Sequence, residues 1–429
     1  MGGTMVGRLK KVSAVLLALL LLAFLPSCGE KTTANLRNYR QVPQITITFM
    51  SSWGGSSPYR DLVDEIIAEF MSENPDIRIV NESLSQGAYL SKLKTNFATG
   101  YIPDVFVLWP GVDLKSLVTS GKVANLRVIM DPDWESTFFP NALNTYVSHY
   151  GGLYGLPFDN AFAGMYVNLK ILSDNGHEVP RTYDELLRAV EVLRDNNIIP
   201  IAYSVDLEGS MLYQAIVTGL SKEQSETRSN PVHIEAMQIM KELYDRNAFP
   251  DNAFILSGYE QNKLFLDGKA AMMVQGSWFS GDLEGMEEHV DIVPFPVFGS
   301  DPSLYSLTGQ NGYNAFHVSK NAFLDDQMKD AIKRFLVYFT SDKVAIRFIE
   351  QKGMLSSLNL SDDAYLTNLY AKKSLKLVQN ADALFAFPSS YLSEQNWRDT
   401  FIHQIPYLLE DRITPLEVMA DVAFTYPSF

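Results

Sequence analysis

Residues 45 to 55 read Ile45-Thr-Ile-Thr-Phe-Met-Ser-Ser-Trp-Gly-Gly55, a run of β-branched and aromatic side chains that stops at two serines, an indole and two glycines. Such side chains fit a pleated, half-buried surface, and consecutive glycines end it. The next thirty residues decide the class. Tyr59, Leu62, Val63, Ile66, Ile67, Phe70 and Met71 recur at the three- and four-residue spacing of one helix face, with Asp, Glu and Arg between them. Asn74-Pro75-Asp76 breaks that helix, and Ile77-Arg-Ile-Val80 returns to strand. A second helix near Tyr89 to Thr99 leads to Pro103-Asp-Val-Phe-Val-Leu108, a buried strand closing at Trp109-Pro110-Gly111. Strand alternating with helix predicts an α/β layer on a parallel sheet, because parallel neighbours need a crossover connection.

Outward from this start the chain turns richer in helix. Thr182-Tyr-Asp-Glu185 has the form of a capping box, and Leu186, Leu187, Val190 and Leu193 give the helix behind it one apolar face. Further helices are expected over 231–247, 260–266, 325–340, 342–351 and 362–379. No fixed-period repeat is present.

The tryptophans fall into a pattern. Of five in the chain, Trp53, Trp109 and Trp278 each stand just past an apolar strand; Trp397 lies near the chain end, and Trp134 follows Asp131-Pro-Asp in a loop. Ligands of open α/β sheets bind outside the carboxyl ends of the strands. An indole there offers a flat face to the apolar C–H side of a sugar ring, while Asp, Asn, Gln and Ser meet its hydroxyls. A large side chain of this kind also serves simply as core.

The 429 residues are enough for two or three domains, and 46% apolar residues support a sizeable core. A formal charge of −15 disfavours nucleic acid as a partner, since phosphate contacts need clustered Lys and Arg. Arg8, Lys10 and Lys11, then an apolar run from Ala14 to Leu25, then a small-residue junction at Ser27-Cys28, have the three parts of an export signal. The run is shorter than the roughly 20 residues that span a bilayer. Cys28 is the only cysteine. Its setting resembles the lipobox of bacterial lipoproteins, in which Cys becomes the first, lipid-bearing residue. We therefore expect residues 1–27 to be a signal peptide and 28–44 a polar tether.

From Ile45 to the C-terminus the chain resembles the extracellular solute-binding proteins of bacterial ABC importers, in the sugar-binding branch that includes maltodextrin-binding proteins. Motifs in order carry the likeness: Asn74-Pro-Asp-Ile77, Phe97-Ala-Thr-Gly-Tyr-Ile-Pro-Asp-Val105, Tyr150-Gly-Gly-Leu-Tyr-Gly-Leu-Pro-Phe-Asp159 and Met165-Tyr-Val-Asn-Leu-Lys170. Pro180-Arg-Thr-Tyr-Asp-Glu-Leu186 comes next, with Tyr183 where the family has Trp. Phe265-Leu-Asp-Gly-Lys-Ala-Ala-Met-Met273 with Gly276-Ser-Trp278 is the most specific; Val293-Pro-Phe-Pro296 and Leu307-Thr-Gly-Gln-Asn-Gly312 complete the set.

The resemblance implies a two-lobe periplasmic-binding-protein fold, each lobe a mostly parallel sheet flanked by helices, with a hinge between. Lobe one would comprise 45–157 and 314–379, and lobe two 158–313 and 380–429. Crossings would fall at 156–160, 309–315 and near Asn380. Trp53 and Trp109 would line one wall of the cleft, Trp278 and Trp397 the other. Asp159, Asn160, Gln310 and Asn311 at the crossings would take sugar hydroxyls, with Ser51, Ser52, Gln86 and Tyr89 as further candidates. Ligand would bridge both walls, favour closure and be delivered to membrane permease subunits, the receptor being a monomer held to the membrane by its N-terminal lipid.

No catalytic constellation is evident. The six histidines are scattered, and neither a Gly-x-Ser-x-Gly elbow nor a phosphate-binding loop occurs. No metal or cofactor is expected. The alternatives are a receptor feeding a chemotaxis or sensor system, a glycoside hydrolase using Asp159 with a distant Glu such as Glu394, and a surface scaffold without small-ligand affinity.

Overall fold

In the computed structural model the described residues are 45–422, apart from 224, 366, 394 and 395. The expected signal segment, Cys28, the tether and Glu394 lie outside the described residues, as does the side chain of Gln86. The first six strands are β1 (Ile45–Met50), β2 (Ile77–Asn81), β3 (Val105–Leu108), β4 (Leu156–Pro157), β5 (Asp159–Asn168) and β6 (Ile199–Ala202). The remaining six are β7 (Ala270–Gly276), β8 (Val290–Val293), β9 (Ser306–Gln310), β10 (Ala315–Val318), β11 (Leu355–Ser356) and β12 (Ala383–Phe385).

They form two sheets. The first has the order β2-β1-β3-β10-β4, with β1, β2 and β3 parallel and β10 antiparallel to both its neighbours. The second runs β12-β9-β5-β7-β6, with β8 and β11 also paired to β5. Here the expectation of mostly parallel strands gives way. β12 with β9 and β6 with β7 are parallel, but β5 is antiparallel to β7, β8, β9 and β11. β5 enters this lobe straight from the crossing without an intervening helix, so nothing forces it into the crossover direction.

Burial matches the sequence pattern closely. The helix Arg60–Glu73 buries Leu62, Val63, Ile66, Ile67 and Phe70, the face its spacing predicts. The capping box forms: Glu185 N donates to Thr182 Oγ1 over 3.3 Å, and Thr182 N donates to Glu185 Oε2 over 3.2 Å. The expected single helix over 362–379 is two pieces, a short turn Asp362–Tyr365 and a helix Leu369–Asn380. Asn368 accepts from Ala371 N and restarts it as a cap.

The lobe-one core packs β1, β3 and β10 against the helices Arg60–Glu73 and Asp326–Phe339. Leu369–Asn380 behaves differently from the expected 314–379 assignment. Tyr370 and Ala371 share a buried cluster with Phe162, Tyr166, Val290 and Ile292 of β5 and β8. Leu355 and Ser356 already pair with Asn160 and Asp159 of β5. The third crossing therefore falls near 353–358 rather than Asn380. Among the described residues no helix is long and apolar enough to cross a membrane.

Candidate functional site

Three crossings meet between the sheets: Phe158, between β4 and β5; residues 311–314, between β9 and β10; and the stretch around β11. Asp159 and Asn160 knit them together. Asp159 Oδ1 accepts from Asn314 N over 2.7 Å and Oδ2 from Asn314 Nδ2 over 2.8 Å. Asn160 Oδ1 accepts from Gly312 N over 2.8 Å and Ser357 Oγ over 3.1 Å, while its Nδ2 donates to Ser356 O over 2.9 Å. One amide thus touches all three crossings.

Above the hinge lies a stack of three rings. Trp109, just past β3, and Trp278, just past β7, flank Tyr313 from the second crossing. Tyr313 lies 6.0 Å from Trp109 with planes 7° apart, and 5.6 Å from Trp278 with planes 11° apart. Offset stacking at such separations is the favoured geometry for aromatic pairs. The lobes also touch at the edges. Tyr59 Oη donates to Trp278 O over 3.0 Å, and a Cβ built on Gly111 would stand 3.3 Å from Ser390 O.

Two cavities share this stack as a wall, together with Leu207 and Glu208. The larger, about 550 Å³, is lined from lobe one by Ser52, Trp53, Ser57 and Tyr59, and from lobe two by Asp206 and Asn262, with Asp159 and Asn314 at the hinge. The smaller, about 80 Å³, is lined by Gln214, Gln310, Phe387, Ser389, Ser390 and Trp397. The larger lies within the usual range of small-ligand pockets and combines aromatic faces with a few convergent polar groups.

The carboxylates are tuned by their setting. Burial pushes the Asp159 carboxyl up to about 6, against the opposing pull of the Asn314 hydrogen bonds. Burial raises Glu208 to about 7, although Gln275 Nε2 donates to it. The buried Trp278 indole N–H lies beside the same carboxylate and opposes that rise. The lining offers one lysine, Lys263, and it pairs with Asp267 over 2.8 Å. Among the described residues no three His, Cys, Asp or Glu converge as a metal site.

The expected site residues divide into groups. Trp109, Trp278, Asp159, Ser52 and Gln310 line the cavities. Trp53 reaches the larger one but is only 4% exposed, lying flat on Phe339 and edge-on to Phe316 in the lobe-one core. Trp397, 2% exposed and stacked 4.7 Å from Phe401, reaches only the smaller. Asn160, Asn311, Tyr89 and Ser51 do not reach the walls. Asn160 spends its amide on the hinge, and the Asn311 carbonyl accepts from Thr145 Oγ1. Tyr89 is fully buried with its hydroxyl on Val107 O, and Ser51 pairs with Ser83. Tyr313, Glu208, Asp206 and Tyr59 are wall residues that the sequence pattern does not single out. Tyr313 sits inside the 309–315 crossing, beside the more conspicuous amides Gln310 and Asn311; Glu208 belongs to no motif.

The profile described as bacterial extracellular solute-binding protein matches residues 55–346. The chain belongs to that family. Among relatives of this solute-binding protein, a maltotriose-binding protein of Pyrococcus abyssi is 25% identical over 300 residues, covering 69% of this chain and 63% of the relative. The melibiose/raffinose/stachyose-binding protein MelE of Bacillus subtilis is 24% identical over 390 residues, covering 84% of each. A structure from work on xylan utilization by Caldanaerobius polysaccharolyticus superposes with a TM-score of 0.77 at 24% identity, covering 87% of this chain and 98% of the other. A chitin oligosaccharide binding protein gives 0.78 at 21%, covering 88% and 97%. These structural likenesses establish the two-lobe α/β fold.

Proposed function

We propose that this protein is the substrate-capturing subunit of an ABC importer and takes a neutral mono- or oligosaccharide into the larger cavity. The observation that carries the reading is the meeting of Trp109 from lobe one and Trp278 from lobe two at a single stack beside that cavity. Flat faces are offered to a sugar's C–H side, and Asp159, Asp206, Glu208, Ser52 and Asn262 accept from or donate to its hydroxyls. With Lys263 already paired, the described lining of that cavity turns no free cation toward an anionic sugar. Sugar-binding relatives support the same class. Ligand touching both walls favours the lobes-together arrangement, because a ligand shifts a conformational equilibrium only by its differential affinity.

Delivery would be to membrane permease subunits, with the monomeric receptor tethered through lipid on Cys28 and the solute left chemically intact. Calorimetric titration with saccharides of the glucose, xylose and galactose series tests the binding. Saturable binding with a change in Trp fluorescence is expected; absence of binding across all series would overturn the reading. Chromatography of the recovered ligand separates receptor from hydrolase: intact saccharide supports transport, and shortened products refute it.

A further inference from the structure

We propose that Tyr313 limits the length of saccharide the cleft accepts, by holding its own ring in the stacking space beside Trp109 and Trp278. The inference rests on the saccharide reading above. Indoles from the two lobes each lie nearly parallel to the Tyr313 ring, within 11° and at 5.6–6.0 Å, so a side chain of the protein occupies the stacking space beside both of them. The ring is held there by its backbone. Tyr313 N donates to Asp159 O over 2.7 Å, and Tyr313 O accepts from Tyr146 Oη over 3.2 Å. Gly312 turns the chain into this position at φ +66°, where a Cβ would stand 2.9 Å from Ala142 O. Phe387 braces the ring at 5.1 Å.

The consequence is a partition. The stack lines both cavities, so it stands between the larger space and the smaller one. The smaller space is lined by the Gln310 amide and the edge of the Trp397 indole, while the Gln214 amide is held by Ser389 N and Ser210 Oγ and the Ser390 hydroxyl by Phe387 O. A chain of sugar rings entering the larger cavity ends at Tyr313. Removing the ring joins the two spaces and frees the inner faces of both indoles.

The test is calorimetry of wild type, Tyr313→Ala and Tyr313→Phe with di-, tri- and tetrasaccharides of the malto- and xylo- series. The expected result is that Tyr313→Ala changes the ratio of tetra- to disaccharide affinity at least tenfold in favour of the longer ligand, while Tyr313→Phe keeps the wild-type ratio. Should the alanine variant not fold, Tyr313→Val is read against the same threshold. An unchanged ratio in the ring-less variant overturns the inference and leaves the saccharide reading standing, as does Tyr313→Phe shifting the ratio as alanine does. A wild-type protein that binds no member of any series overturns both.

Discussion

At the scale of the residue, the site is built from side chains whose comfort is traded for availability. Trp278 offers its ring to the cavity while its N–H is buried beside the Glu208 carboxylate. Replacing Trp278 by Ala is expected to weaken saccharide binding more than tenfold, measured by calorimetry, with the melting temperature at pH 6 as the control for folding. Glu208 shows the same trade in its ionisation. Its carboxyl is pushed by burial up to about 7, from an ordinary value of 4.5. Between those values the folded chain holds a proton that the unfolded chain has lost, so stability falls as pH rises through this window. Glu208→Gln keeps the acceptor for Gln275 and removes the charge. The variant should equal wild type near pH 4.5 and exceed it at pH 8 by up to about 3 kcal/mol, read by urea denaturation across the pH series. A flat difference would show that the carboxylate is better solvated than its position implies. Such a residue is legible only in three dimensions: nothing in Leu207-Glu208-Gly209 distinguishes this acid from a solvated loop acid.

At the scale of the element, the sequence spoke more clearly. The helix Arg60–Glu73 and the Thr182 box could be read because helical periodicity and capping are local properties, settled within a few residues. Thr182→Ala should cost about 1 kcal/mol in chemical denaturation without altering saccharide affinity, since the box lies away from both cavities. The crossings were legible as places but not as mechanisms. Asn160 reads as a sugar-facing amide from sequence, yet it is consumed by Gly312, Ser356 and Ser357, two of them nearly 200 positions away along the chain. Such pairings are invisible to a local pattern. Asn160→Ala leaves these groups unpaired, at about 1–3 kcal/mol for each that stays buried. Amide hydrogen exchange should then accelerate selectively over 311–314 and 355–358; uniform acceleration would point to global destabilisation instead. The third crossing departs from its expected place for a related reason. The Leu369–Asn380 helix shows an apolar face in sequence, and its packing on β5, β8 and β11, distant in the chain, places it with the second sheet.

At the scale of the molecule, the order of motifs along the chain makes the two-lobe plan legible, whereas the filled stacking space beside the indoles is not. Trp109 and Trp278 are expected from sequence to face one another across solvent; each instead stacks beside Tyr313. Each lobe carries its own buried core, and the described fold opens at Ile45 in β1. A chain beginning at Gln44 should therefore retain wild-type saccharide affinity and unfolding temperature, checked by calorimetry and circular dichroism. Loss of either would assign the preceding segment a part in the fold. The knot at Asn160 reaches furthest. Three strands of backbone pinned to one planar group act as a single axle rather than three springs, so swinging one half of the body about it carries the other two connections along. Opening would then trace one arc rather than three independent bends.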